Sequence, residues 1–183
     1  MLKRNERSLN INLEPKLPQK KSVTDQYNKL IELSSEYNKV FWIVDFDVII
    51  RESRESRRGE KPIQTFSRYY SLLKEHENIK VIINNPCLEY WYLLHFRQTN
   101  RYYDSCDSLM HDLKRIDALS DYDKSEKFYT RLNQDIYLRL KPFLGTAIIH
   151  SNRLGDFDLS NPDTGISQMQ LLFETDDLKF IVN

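Results

Sequence analysis

V-F-W-I-V-D-F-D at residues 40–47 and I-K-V-I-I-N-N-P-C-L-E-Y-W-Y-L-L-H-F at residues 79–96 set the architecture. The first opens with a continuous apolar run, as a strand buried on both faces does, and Ile79, Val81, Ile82 and Ile83 of the second make another buried strand. Between them, Pro62 opens a helical pattern in which Phe66, Tyr69, Tyr70 and Leu73 share one face. Residues 47–61 are polar and charged, are punctuated by Gly59 and read as a loop. Upstream, Tyr27, Leu30, Ile31 and Leu33 keep helical spacing to about residue 38, with Ser22 or Thr24 as the cap. Residues 8–13, S-L-N-I-N-L, alternate apolar and polar like a short strand, and E-P-K-L-P-Q-K-K after them reads as a loop. Asn85 and Pro86 suit the cap and first turn of a helix running to about Phe96. The expectation is an α/β fold: a parallel β-α-β-α-β sheet with flanking helices and right-handed crossovers, followed by a helical C-terminal region. In that region helices are expected around Leu109, Leu113 and Ile116, then from Phe128 through Leu132 and Ile136 to Leu140, over 143–154, and after Thr164. No strand of comparable strength is expected there.

With 183 residues the chain reads as one domain, a sheet part at 1–100 and a helical part at 101–183. Basic and acidic residues balance, 27 against 27, which argues against a strongly basic nucleic-acid binder while leaving local patches open. Residues 1–21 carry six basic against two acidic residues, and residues 154–178 carry six acidic and no basic ones. Such runs are either solvated faces or docking surfaces. Cys87 and Cys106 make neither a disulfide scaffold nor a four-ligand zinc site, and the expectation is two reduced thiols. No apolar run reaches the roughly 18 residues of a membrane span. M-L-K-R-N-E-R-S-L-N lacks the apolar core of a signal peptide, so a cytoplasmic protein is expected.

Asp45 and Asp47 close the first apolar run. In an open parallel sheet, ligands sit beyond the C-terminal strand ends. Carboxylates two residues apart leave a strand on one side, and such hard oxygen ligands suit Mg²⁺. The competing reading is a polar strand exit with a helix-capping aspartate. The helix opening at Asn85 would set free N–H groups beside these carboxylates, with Glu89 one turn in and able to turn back to the same edge. Charge compensation at a helix start explains Glu89 equally. His95 is either a phosphate-positioning group or a satisfied core histidine. Cys87 reads as packing. Arg51, Arg54, Arg57 and Arg58 suit phosphate contact or an ordinary solvated loop. The paired tyrosines at 69–70, 90–92 and 102–103 suit base stacking or, more simply, packing.

N-N-P-C-L-E-Y-W-Y-L-L-H-F resembles the S-N-P-C-F-E-L-W-L-L-L-H-F run of RloB-like proteins. V-D-F-D resembles that family's D-x-D strand end, and N-P-D-T-G-I-S-Q-M-Q-L-L-F at 161–173 resembles its closing N-P-S-T segment. The resemblance spans roughly 40–175. It implies a Toprim-like fold and a Mg²⁺-dependent nuclease subunit of bacterial abortive-infection defence, acting with an AAA-type ATPase of the overcoming-lysogenisation kind. Asp45 and Asp47 would hold the metal, Glu89 and His95 would assist, and Asn85 with the four arginines would meet phosphate. The family pattern also opens with a strand and E-G-x-x-T-E. Nothing here matches it: Glu6 follows no apolar strand, and Glu14 lies in the Pro-rich loop. The implied chain starts after the family's first strand, its third carboxylate being lost, encoded upstream or supplied by a partner chain.

Three readings follow. The first is a metal-dependent phosphodiesterase; the second is a non-enzymatic relative that docks the ATPase. The third is a nucleotide-binding or small-molecule-binding α/β protein. Substrate and homo-oligomeric state are left open.

Overall fold

The computed structural model describes residues 2–14, 21–129, 131 and 134–182. It is a mixed α/β fold, a three-stranded sheet between two sets of helices with a helical C-terminal part. The elements in order are α1 (Leu2–Asn5), α2 (Val23–Glu36), β1 (Val40–Asp45), α3 (Phe46–Glu55), α4 (Pro62–Leu73), β2 (Ile79–Asn85) and α5 (Glu89–Leu94). There follow α6 (Cys106–Leu113), α7 (Glu126–Tyr129), α8 (Ile136–Leu140), α9 (Leu144–Asn152), β3 (Ile166–Ser167) and α10 (Gln170–Phe173).

β1 and β2 are parallel, with Val40 opposite Ile79 and Asp45 opposite Asn84. Side chains alternate across this pair and divide the interior in two. Val40, Trp42, Val44, Ile79 and Ile83 face α2, α3 and α4, where they meet Leu30, Phe46, Ile49, Phe66 and Leu73. Ile82 and the partly buried Phe41 face the opposite layer, made of α5, α6, α8, α9 and α10. Helix α2 begins where the spacing predicts, because Ser22 and Asp25 form a reciprocal capping box.

Four expectations are corrected. Residues 8–13 form no strand: Leu9 is buried against the α5 layer and Leu13 is 63% exposed, so the alternation seats side chains without a ladder partner. Residues 47–61 are not a loop throughout, since α3 starts at Phe46, directly on the end of β1, and runs to Glu55. Phe46 and Ile49 anchor one face in the core while the charges point out, an amphipathic pattern that a charge count hides. The third strand comes from the C-terminal region: β3 pairs antiparallel to β2, with Ser167 opposite Asn84 and Ile166 opposite Asn85. Two residues are too short to show periodicity in a sequence. The stretch expected as one helix over 128–140 holds α7 and α8, with Asp135 capping α8 through the Leu138 N–H at 3.1 Å. Leu132 lies outside the described residues.

Candidate metal centre

Asp45 ends β1 and stands at the cap position of α3, yet its side chain makes no cap bond there. Its Oδ1 accepts the Leu88 N–H at 2.8 Å instead, across the gap to the β2–α5 connection. Asp47 lies in the first turn of α3; its backbone N–H donates to the Pro86 carbonyl at 3.0 Å, and its carboxylate accepts the Cys106 N–H. Two chain crossings thus bind the end of β1 to the segment that leads into α5, through a cis Asn85–Pro86 peptide.

Helix α5 begins at Glu89, not at Pro86, and has six residues. The expected free amide at its start is already taken, because the Leu88 N–H is spent on Asp45. Glu89 is 4% exposed. Its Oε1 accepts the Tyr122 hydroxyl at 2.7 Å and ion-pairs with Lys124 Nζ at 2.9 Å. Tyr122 and Tyr129 hydroxyls lie 2.6 Å apart.

Asp45 feels the charges of both other carboxylates. Burial pushes the Asp45 carboxyl up to about 6, and the charges of Glu89 and then Asp47 push the same way. The Leu88 N–H and Lys124 oppose this. Asp47 is also raised, chiefly by burial, against the pull of Arg51 and Lys124. Crowded, partly desolvated carboxylates of this kind favour a divalent cation, whose charge removes their mutual repulsion. Asp45 and Asp47 offer hard oxygen donors of the kind that Mg²⁺ or Mn²⁺ takes.

The other sequence-derived candidates divide. Arg51 lies one helical turn from Asp47 and acts on it. Arg54, Arg57 and Arg58 are exposed, on the last turn of α3 and just beyond it. Asn85 is not at a phosphate edge: its Nδ2 donates to the carbonyls of Pro162 and Thr164 at 2.6 and 2.9 Å, tying the N-P-D-T segment to β2. His95 is 2% exposed, with Nδ1 2.8 Å from the Trp91 carbonyl. Burial holds it down to about 4, so it is a neutral core histidine, nearly two turns from Glu89. It lines a groove of about 980 Å³ shared with Trp91 and Tyr92, which does not include Asp45, Asp47 or Glu89. The tyrosines pack: Tyr69 stacks on Tyr27 at 4.0 Å, and Tyr90, Tyr92 and Tyr103 are buried.

Sequence reasoning missed three contributors. Lys124 lies 35 residues beyond Glu89 in S-D-Y-D-K, and no spacing signals it. Tyr122 was equally invisible. The expected reduced thiols are a Cys87–Cys106 disulfide, closed across 19 residues with 5.8 Å between Cα atoms. Pairing depends on where α6 packs, which a two-cysteine count does not reveal.

The family model described as RloB-like protein matches residues 1–175, which takes in the 161–173 segment that Asn85 holds. No curated protein and no solved structure matches the chain.

Proposed function

Since the chain belongs to the RloB-like family, we propose that it is a divalent-cation-dependent phosphodiesterase subunit of a bacterial abortive-infection system, working with an AAA-type ATPase on nucleic acid. The observation that carries this reading is the Asp45 carboxyl at the end of β1, raised to about 6 by burial and then by the charges of Glu89 and Asp47. Strand-end carboxylates are where phosphoryl chemistry is placed in parallel sheets.

Asp45 and Asp47 would hold the metal, which supplies charge neutralisation and a water of lowered pKa when bound. Lys124 is half-exposed and stays charged beside Glu89. It can leave the Glu89 carboxylate for a phosphate oxygen, and Arg51 offers a second cation at the same edge. Glu89, held by Tyr122, fixes where Lys124 rests. The test is cleavage of labelled DNA and RNA, single- and double-stranded, with Mg²⁺ or Mn²⁺, with and without the ATPase and ATP. The expected result is metal-dependent cleavage that Asp45→Asn reduces by at least about 100-fold. Equal cleavage by Asp45→Asn removes the assignment.

One observation favours the docking reading. Glu89 is already neutralised by Lys124 at 2.9 Å, so the centre has an internal cation. Under that reading the chain binds the ATPase with unchanged affinity when both aspartates are replaced, and no substrate is cut.

A further inference from the structure

Cys87, Glu89 and Cys106 are all buried, and one ligand atom from each lies within 4.8 Å of the other two. Cys106 Sγ is 3.1 Å from Glu89 Oε2 and 3.1 Å from Lys124 Nζ. A disulfide sulfur is uncharged and carries no proton, so in the oxidised chain the carboxylate faces it without a bond between them. An ammonium already stands against both the carboxylate and the sulfur, which marks the cluster as a place that attracts a cation. Lys124 reaches it from solvent, with 47% of its side chain exposed, so the place can be vacated.

We propose that reduction of the Cys87–Cys106 disulfide creates a Zn²⁺ site whose protein ligands are the two thiolates and Glu89. A dithiol reductant supplies two electrons and two protons. The S–S bond breaks, the reductant closes to its own disulfide, and Cys87 and Cys106 become thiols. On binding, Zn²⁺ displaces both thiol protons to solvent. Two thiolates and one carboxylate against Zn²⁺ leave one net negative charge, which Lys124 offsets from nearby. Two sulfurs and one oxygen are a donor set for a tetrahedral ion with one open position. Thiolates select Zn²⁺ over Mg²⁺, so this site differs in chemistry from Asp45 and Asp47 and shares no ligand with that pair. It goes beyond the phosphodiesterase reading and does not require it. Its consequence is that the redox state of one cysteine pair decides whether Glu89 rests against a disulfide sulfur or ligates a soft metal.

The experiment uses the full chain, stripped with chelator and divided into a phosphine-reduced and a diamide-oxidised sample. Zn²⁺ is titrated against a chromophoric zinc indicator, and Co²⁺ is added separately as a spectroscopic stand-in. The reduced chain should take up about one equivalent of Zn²⁺, show a thiolate-to-Co²⁺ charge-transfer band, and protect both thiols from a thiol reagent. The oxidised chain should do none of these. Cys106→Ser and Glu89→Gln should each weaken Zn²⁺ at least about tenfold. The Asp45→Asn/Asp47→Asn variant should keep the Co²⁺ band, which separates this site from the proposed Mg²⁺ centre. Fully reactive thiols in the presence of Zn²⁺, or a band that persists in Cys106→Ser, would overturn the proposal. The reduced and oxidised wild-type samples decide the matter even if a variant fails to fold.

Discussion

Asp45 gives up hydration and gains two like-charged neighbours, which the Leu88 N–H and Lys124 offset in part. Its pKa lies above the unfolded value, so the folded state holds the proton longer. Stability linked to this group is therefore present near pH 4 and lost as pH rises from about 4 to about 6. Asp45→Asn should be more stable than the parent at pH 7.5 by about 1–3 kcal/mol, and no more stable near pH 4. Urea denaturation in the presence of chelator measures this; equal stability at both pH values would show that the carboxylate is not under repulsion. Tyr122 does the opposite work, holding Glu89 Oε1 at 2.7 Å. Tyr122→Phe should cost about 1–3 kcal/mol by leaving a buried carboxylate oxygen with one donor fewer. At this scale the coupling of Asp45 to Asp47 and Glu89 follows from residue type and from position at a strand exit and a helix start, which a sequence displays. Lys124 was not, because its meeting with Glu89 is made by the path of the chain between them.

The elements that matter most are the joints. Helix α3 starts at the residue after β1, so Asp45 and Asp47 sit on either side of a strand-to-helix turn, near enough for the charge of Asp47 to raise the Asp45 carboxyl. The sequence shows the strand plainly and hides the helix, because five basic and three acidic residues over 51–61 mask its apolar face. The joint at β3 depends on Gly165. A side-chain Cβ there would collide with the Arg101 carbonyl and the Tyr90 ring, neither of which is a flexible chain end. Gly165→Ala should cost about 1–3 kcal/mol, read as a fall in the urea midpoint at unchanged slope. A stability within about 0.5 kcal/mol of the parent would mean that β3 is loosely held. The antiparallel β3 and the absence of a ladder at 8–13 were beyond sequence reading for one reason: strand identity depends on a partner, and alternation alone does not name one.

Across the whole molecule, the sheet separates two cores, and the carboxylate centre lies where both meet the C-terminal edge of β1 and β2. His95 belongs to the core on the α5 side, not to the centre. Its pKa is lowered by burial, so its linked stability is present above about pH 6.5 and is lost as pH falls toward 4. His95→Gln should flatten the acid limb of the stability curve and leave metal affinity unchanged, which calorimetry of both quantities checks. No helix among the described residues is long and apolar enough to cross a membrane. The α/β class was legible from two apolar runs and the helical spacing between them. The layering of the C-terminal helices was not, because short helices of four to nine residues carry little periodicity.

The central claim is that Asp45 and Asp47 form a divalent-cation centre. Titration calorimetry with Mn²⁺ and Mg²⁺, on the oxidised chain and on its Asp45→Asn/Asp47→Asn variant, tests it most directly. The account predicts saturable binding by the parent, with protons released near pH 6, and none by the double variant. Absence of binding by the parent, or equal binding by both, would contradict it.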